Sequence, residues 1–352
     1  MPALESPAPP PAGPDPASPA ADGAGPGFRL SAAAILEAAR AAERAEVLAE
    51  VGLLRAETSG RMRKVLTLVI SFALFMAAAR YLGNPLEWLI AVAAAVIVHE
   101  AGHYAGMRLF GYSDVRMFFI PFVGGAVSGR SGGVAGWKRA TVALLGPVPG
   151  LLLGLAGAAL SLLLPAPEPV LYRLSWAFLL INASNLLPLL PLDGGRLVQD
   201  VLFSRNRFLD AAFRAGSGLL FLGAGLAMWR AGLKGWWVPP LFGLVVLAGA
   251  PGALQFGRML ARLRPELGEL AAAGSGEIPP EAADRLIAEV RRENPRLPDA
   301  RAVAWRVDLL WDRLLVRPPG PAAAAAFLAI QLLGLLAGCG GAMVLAMAAA
   351  RH

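Results

Sequence analysis

Cysteine is nearly missing from this chain: Cys339 is its single thiol in 352 residues. That excludes an internal disulfide framework and a thiolate metal cluster. Charge is also scarce, with Asp, Glu, Lys and Arg making 16% of the residues where a soluble domain carries about a quarter. Hydrophobic residues make 56%, and the mean hydropathy is +0.56. Such a composition predicts a membrane protein. Histidine is rarest of the titratable groups, at three residues, so any imidazole chemistry must draw on almost all of them.

The net charge of +7 does not signal nucleic acid. The Lys and Arg residues stand in small groups at the ends of apolar segments, which is a membrane-topology pattern, and no basic stretch is interleaved with aromatics. Residues 1–27, MPALESPAPPPAGPDPASPAADGAGPG, lack a charged leader followed by an apolar run. They read as a disordered Pro/Ala-rich tail rather than a signal peptide.

Residues 28–60 are rich in Ala, Leu, Glu and Arg at a spacing near 3.6 and predict a soluble amphipathic helix. Apolar segments long enough to cross a bilayer follow at about 65–82, 86–108, 140–164, 171–192, 211–230, 237–256 and 322–349. The expected fold is an all-α polytopic membrane protein of six to seven transmembrane helices. A short β-hairpin is expected after the second of them, because RMFFIPFVGGAVSGRSGGVAG combines β-branched and aromatic residues with paired glycines. The transmembrane core is thus expected at 61–256. A small helical domain without a recognisable motif is expected at 257–321, and a last transmembrane helix at 322–352. Fifteen basic residues fall on the side of the bundle that holds the N-terminus, the hairpin and the polar domain, against five opposite. By the positive-inside rule this predicts a multi-pass cell-membrane protein with a cytoplasmic N-terminus.

Within the second apolar segment lies AAVIVHEAGHYAG, in which His99, Glu100 and His103 form H-E-x-x-H. Positions i and i+4 of a helix differ by about 40° around the axis, so both imidazoles leave one face and can bind one zinc ion. Glu100 then stands beside the open coordination position, where a general base is needed. With three His and 15 Glu, chance supplies roughly one thousandth of such a match in a chain of this length. The competing reading, satisfied polar residues of a helical core, weakens inside an apolar segment, where ionisable groups need a partner, a cavity or a metal.

Catalytic zinc needs a third protein ligand. The outstanding acid is Asp193 in INASNLLPLLPLDGGRL. If the second and fourth segments both run from outside to inside, Asp193 ends at the depth of the two histidines. Pro188 and Pro191 should unwind the chain just before it, and Gly194 and Gly195 permit a turn after it. The alternative for Asp193 is a loop-end carboxylate paired with Arg196. Asn182 and Asn185 lie one turn apart on one face. Either can simply bond a neighbouring helix; Asn185, nearer the bend, is the better candidate to hold a substrate carbonyl.

The combination of H-E-x-x-H in one membrane helix with N-x-x-P-x-x-x-L-D-G in a later one, here Asn185, Pro188, Leu192, Asp193 and Gly194, resembles the site-2 protease family of intramembrane zinc metalloproteases. The resemblance covers roughly residues 65–205. It implies Zn2+ on His99, His103 and Asp193, Glu100 as catalytic base and Asn185 as a substrate-positioning residue. The implied partners are a membrane-protein substrate and the lipid bilayer. The chain departs from some members in having no PDZ-like insert and in carrying extra segments. The strand-like 116–129 region can hold an extended substrate by β-augmentation or be an ordinary re-entrant loop. A catalytically silent scaffold and an ion transporter are the competing function classes.

Overall fold

The computed structural model describes residues 31–57, 60–81, 83, 85–121, 124–164, 168–203, 206–273 and 276–350. The expected tail at 1–27 lies outside them. Two units separate, Met1–Ala42 and Glu43–His352. Among the described residues the first contributes the opening turns of α1 (Ala32–Ala56).

In the second unit the chain runs through α2 (Arg61–Tyr81), α3 (Leu86–Leu109), the strands β1 (Ser113–Ile120) and β2 (Gly124–Arg130), α4 (Gly136–Leu145), α5 (Pro147–Leu163) and α6 (Pro169–Asn185). A short α7 (Asp193–Val198) leads into a π-helical turn at Gln199–Phe203. Then come α8 (Arg207–Arg230), α9 (Val238–Ala273), α10 (Pro280–Glu293), α11 (Ala300–Leu315) and α12 (Pro321–Ala350). Among the described residues six helices are long and apolar enough to cross a membrane: α2, α3, α4 with α5, α8, α9 and α12. The all-α polytopic expectation, with its single hairpin after the second span, holds, and the protein is a multi-pass membrane protein.

The expected segment 171–192 is helical only as far as Asn185. At 17 residues, α6 is about 26 Å long, just under the hydrocarbon thickness. Pro188 and Pro191 carry no amide hydrogen, so the helical ladder cannot continue through 186–192. Leu186 and Leu190 anchor this non-helical stretch in the interior while Leu187 and Pro188 are exposed, and its backbone groups are met by side chains of other helices, as unwound backbone at membrane depth requires. Leu190 N donates to Ser217 Oγ at 3.2 Å, and the Gln331 side chain donates to the Leu186 carbonyl at 2.8 Å and to the Gly194 carbonyl at 3.2 Å.

Strands β1 and β2 pair antiparallel, with Arg116 opposite Ser128 and Phe118 opposite Ala126. The hairpin is fixed to α2, where Phe119 N donates to Ser71 Oγ at 2.9 Å and the Phe119 ring meets Phe72 edge-on at 5.0 Å.

Helix α9 continues unbroken past residue 256, with Pro251 and Pro265 inside it, so the transmembrane core and the polar region share one helix. Its C-terminal half packs with α10, α11 and α1 around Val51, Leu263, Leu286, Val307 and Trp311. Trp311 is fully enclosed, and its indole N–H donates to the Gly276 carbonyl at 3.1 Å. The second half of α1, through Val47 and Val51, therefore shares one core with the 257–321 region.

Candidate metal centre

On α3, His99 and His103 leave the same face one turn apart. Their Nε2 atoms stand 3.2 Å from each other, with the ring planes at 82°. Asp193, the first residue of α7, brings Oδ2 to 3.0 Å from each of these nitrogens. The three residues are 4%, 7% and 7% exposed, so the cluster is sealed by protein. Among the described residues this is the one group of three His, Cys, Asp or Glu side chains whose donor atoms converge as a metal site requires.

The remaining ring nitrogens each have a fixed partner. His103 Nδ1 lies 2.8 Å from the Val142 carbonyl, which only accepts, so Nδ1 carries the hydrogen. His99 Nδ1 lies 2.9 Å from Asn182 Oδ1. The Asn182 amide nitrogen donates to the Phe178 carbonyl at 2.7 Å, which fixes its oxygen toward His99. Both neutral imidazoles are thereby held as the tautomer with a bare Nε2. With both Nε2 atoms unprotonated, two lone pairs and a carboxylate oxygen face one another at 3.0–3.2 Å, an arrangement suited to a cation between them. Ligands at the usual zinc distances in a tetrahedron lie about 3.3 Å apart, so the triangle fits Zn2+. The second set of hydrogen bonds is the kind that orients metal-bound histidines.

Backbone comes very close to this cluster. A β-carbon at Gly146, where α4 meets α5, would stand 2.2 Å from His103 Nε2, so only hydrogen fits there. Glu100 is 5% exposed and interacts electrostatically with both imidazoles and with Asp193. Strand β2 lies directly on it: a β-carbon at Gly125 would be 2.3 Å from Glu100 Cγ. The hairpin thus covers the glutamate side chain.

Asn185 closes α6, half-buried, with its amide nitrogen donating to the Ile181 carbonyl at 2.9 Å. Arg196, the alternative partner for Asp193, is exposed. Sequence reasoning left Asn182 undecided and missed the Val142 carbonyl, Gly125 and Gln331. Gln331 had a readable signal, being a lone amide in an otherwise apolar 30-residue helix. A backbone carbonyl has none.

No family model matches the chain. It is 29% identical over 136 residues to a putative zinc metalloprotease of Synechocystis sp., covering 37% of this chain and 36% of the relative. To a zinc metalloprotease of Methanocaldococcus jannaschii it is 24% identical over 151 residues, 40% of this chain and 44% of the relative. To stage IV sporulation protein FB of Bacillus subtilis it is 30% identical over 159 residues, 44% of this chain and 54% of the relative. The matches thus span between about a third and about half of these curated relatives. They bear out the resemblance to site-2 proteases, and the names of the first two relatives imply Zn2+ as the metal.

Proposed function

We propose that this chain is an intramembrane zinc metalloprotease that hydrolyses peptide bonds in or near the transmembrane segments of membrane-protein substrates. The observation that carries the reading is the convergence of three acceptor atoms, His99 Nε2, His103 Nε2 and Asp193 Oδ2, beside a buried glutamate within apolar helices. These three residues would hold the ion. Zn2+ bound there supplies a Lewis acid, polarising a carbonyl and lowering the pKa of water toward about 7. Glu100 accepts the proton of the attacking water and later returns it to the leaving amine.

A substrate helix hides its carbonyls in its own hydrogen bonds and must be held unwound. Asn185 spends one amide hydrogen on Ile181 and keeps the other, with its carbonyl oxygen, for an extended backbone. The two-stranded hairpin over Glu100 offers strand edges for the same purpose. The distribution of basic residues supports a cell-membrane orientation with the N-terminus, hairpin and α10–α11 in the cytoplasm.

The test compares the purified protein with Glu100→Gln. Elemental analysis should find one zinc in both, while mass spectrometry of membrane fragments should find products only with the unsubstituted chain, and chelation should abolish cleavage until zinc is restored. Cleavage at the native rate by Glu100→Gln would remove the assigned base. A folded protein without zinc would favour ion transport instead.

A further inference from the structure

At the junction of the membrane core and the helical domain lies a cavity of about 380 Å³, separate from the metal centre. Five arginines line it, from four different helices: Arg139 on α4, Arg207 and Arg214 on α8, Arg264 on α9 and Arg313 on α11. Two aspartates oppose them. Asp210 is 3.2 Å from Arg214 and also accepts from Gln199, and Asp200 is 3.9 Å from Arg313. The lining thus carries three more positive than negative side chains. Arg139 donates to the Ser131 hydroxyl at 2.9 Å, which in turn donates to Asp312 outside the cavity lining. Arg207 Nε is shielded from solvent without a hydrogen-bond partner among the described residues.

Arg264 is exposed and the other four arginines are half-buried, and gathering like charges around one cavity costs free energy unless anions pair with them. At half-buried Arg313 the pKa is pushed down by desolvation and then by the neighbouring positive charge of Arg139, against the pull of Asp200. We propose that this cavity is a binding site for a phosphate group, presented either by an anionic lipid headgroup or by a soluble phosphate compound. A phosphate brings up to two negative charges and three acceptor oxygens, which match several forked donors arriving from different helices better than one carboxylate does. Both sources can reach it. Arg207 is the first residue of a membrane-spanning helix, with Phe208 exposed beside it, which suits a lipid, whereas the volume suits a small soluble ligand.

Its occupant would touch the elements that build the metal centre. Arg139 is on the helix whose Val142 carbonyl orients His103, and Asp200 lies on the π-helical turn directly after the helix that begins with Asp193. The phosphate would tie both to Arg313 of the helical domain. The site stands without the protease reading, and its test needs no cleavage.

The full-length protein in neutral detergent is titrated with inorganic phosphate and pyrophosphate by calorimetry, and in nanodiscs with phosphatidylglycerol or phosphatidylcholine by native mass spectrometry. Saturable binding of a soluble phosphate, or selective retention of phosphatidylglycerol, is expected and identifies the source. Arg313→Ala and Arg207→Ala should each weaken it at least tenfold and Arg313→Lys less, while Arg285→Ala, an exposed arginine paired with Glu266 elsewhere, should leave it intact. No saturable binding in either arm would overturn the proposal, as would native affinity in both alanine variants. Should Arg313→Ala fail to fold, the wild-type titration and Arg207→Ala decide.

Discussion

Replacing Asn182 by leucine tests how the metal centre is tuned. Asn182 is fully buried on α6 and touches no substrate in the proposed mechanism; its Oδ1 takes the Nδ1 hydrogen of His99 at 2.9 Å. Leucine has a comparable size but accepts nothing. His99 must then either keep a buried N–H unsatisfied or move the hydrogen to Nε2, where it blocks the lone pair a metal needs. An unsatisfied buried donor costs about 1–3 kcal/mol, which at 1.4 kcal/mol per tenfold weakens zinc binding by about 5- to 150-fold. Losses of 10–100-fold are typical when such an outer hydrogen bond to a metal ligand is removed. The assay is competition against a chromophoric chelator at fixed pH, with melting followed in parallel. The Phe178 carbonyl keeps its helical donor, so the fold should persist. Asn185→Leu is the control: its amide bonds Ile181 rather than a ligand, so zinc affinity should hold while cleavage falls. Zinc affinity for Asn182→Leu within twofold of the wild type, with an unchanged melt, would refute the tautomer argument.

Gly125→Ala should lower the cleavage rate by tenfold or more at full zinc occupancy, because the new methyl meets Glu100 Cγ and not a ligand; kcat and zinc content measured on the same sample check it. Gln331→Leu leaves the Leu186 and Gly194 carbonyls without their side-chain donor. The Asp193 turn should loosen and zinc bind about tenfold more weakly, read by the same chelator competition. Trp311→Ala should destabilise the helical domain by about 3–5 kcal/mol, seen as earlier proteolysis of α10 and α11, while the zinc content of the membrane core stays near one per chain.

What the sequence made legible is what individual side chains announce through their own chemistry. Two imidazoles four residues apart in an apolar helix declare a shared ligand, and prolines at 188 and 191 declare that the helix must stop short of Asp193. Paired glycines among β-branched and aromatic residues declare a hairpin. The undeclared part lies in contacts between segments far apart in the chain. Nothing local to 28–60 says that Val47 and Val51 share a core with Met259 and Val303, because an amphipathic pattern fixes which face is buried but not against what. The continuation of α9 past 256 was hidden for a related reason: composition turns polar there, and Pro265 argues for a break, yet packing against α10 and α11 outweighs the lost hydrogen bond. The site divides along the same line. His99, Glu100, His103 and Asp193 are recognisable because they are chemically unusual where they stand. Their orientation depends on the Val142 carbonyl, on one amide of Asn182 and on the missing side chains of Gly125 and Gly146, groups that look ordinary until folding brings them against the ligands. Substitutions at such positions should therefore separate reactive groups that are merely present from reactive groups held in working geometry, since they alter placement and leave the chemistry of every ligand unchanged.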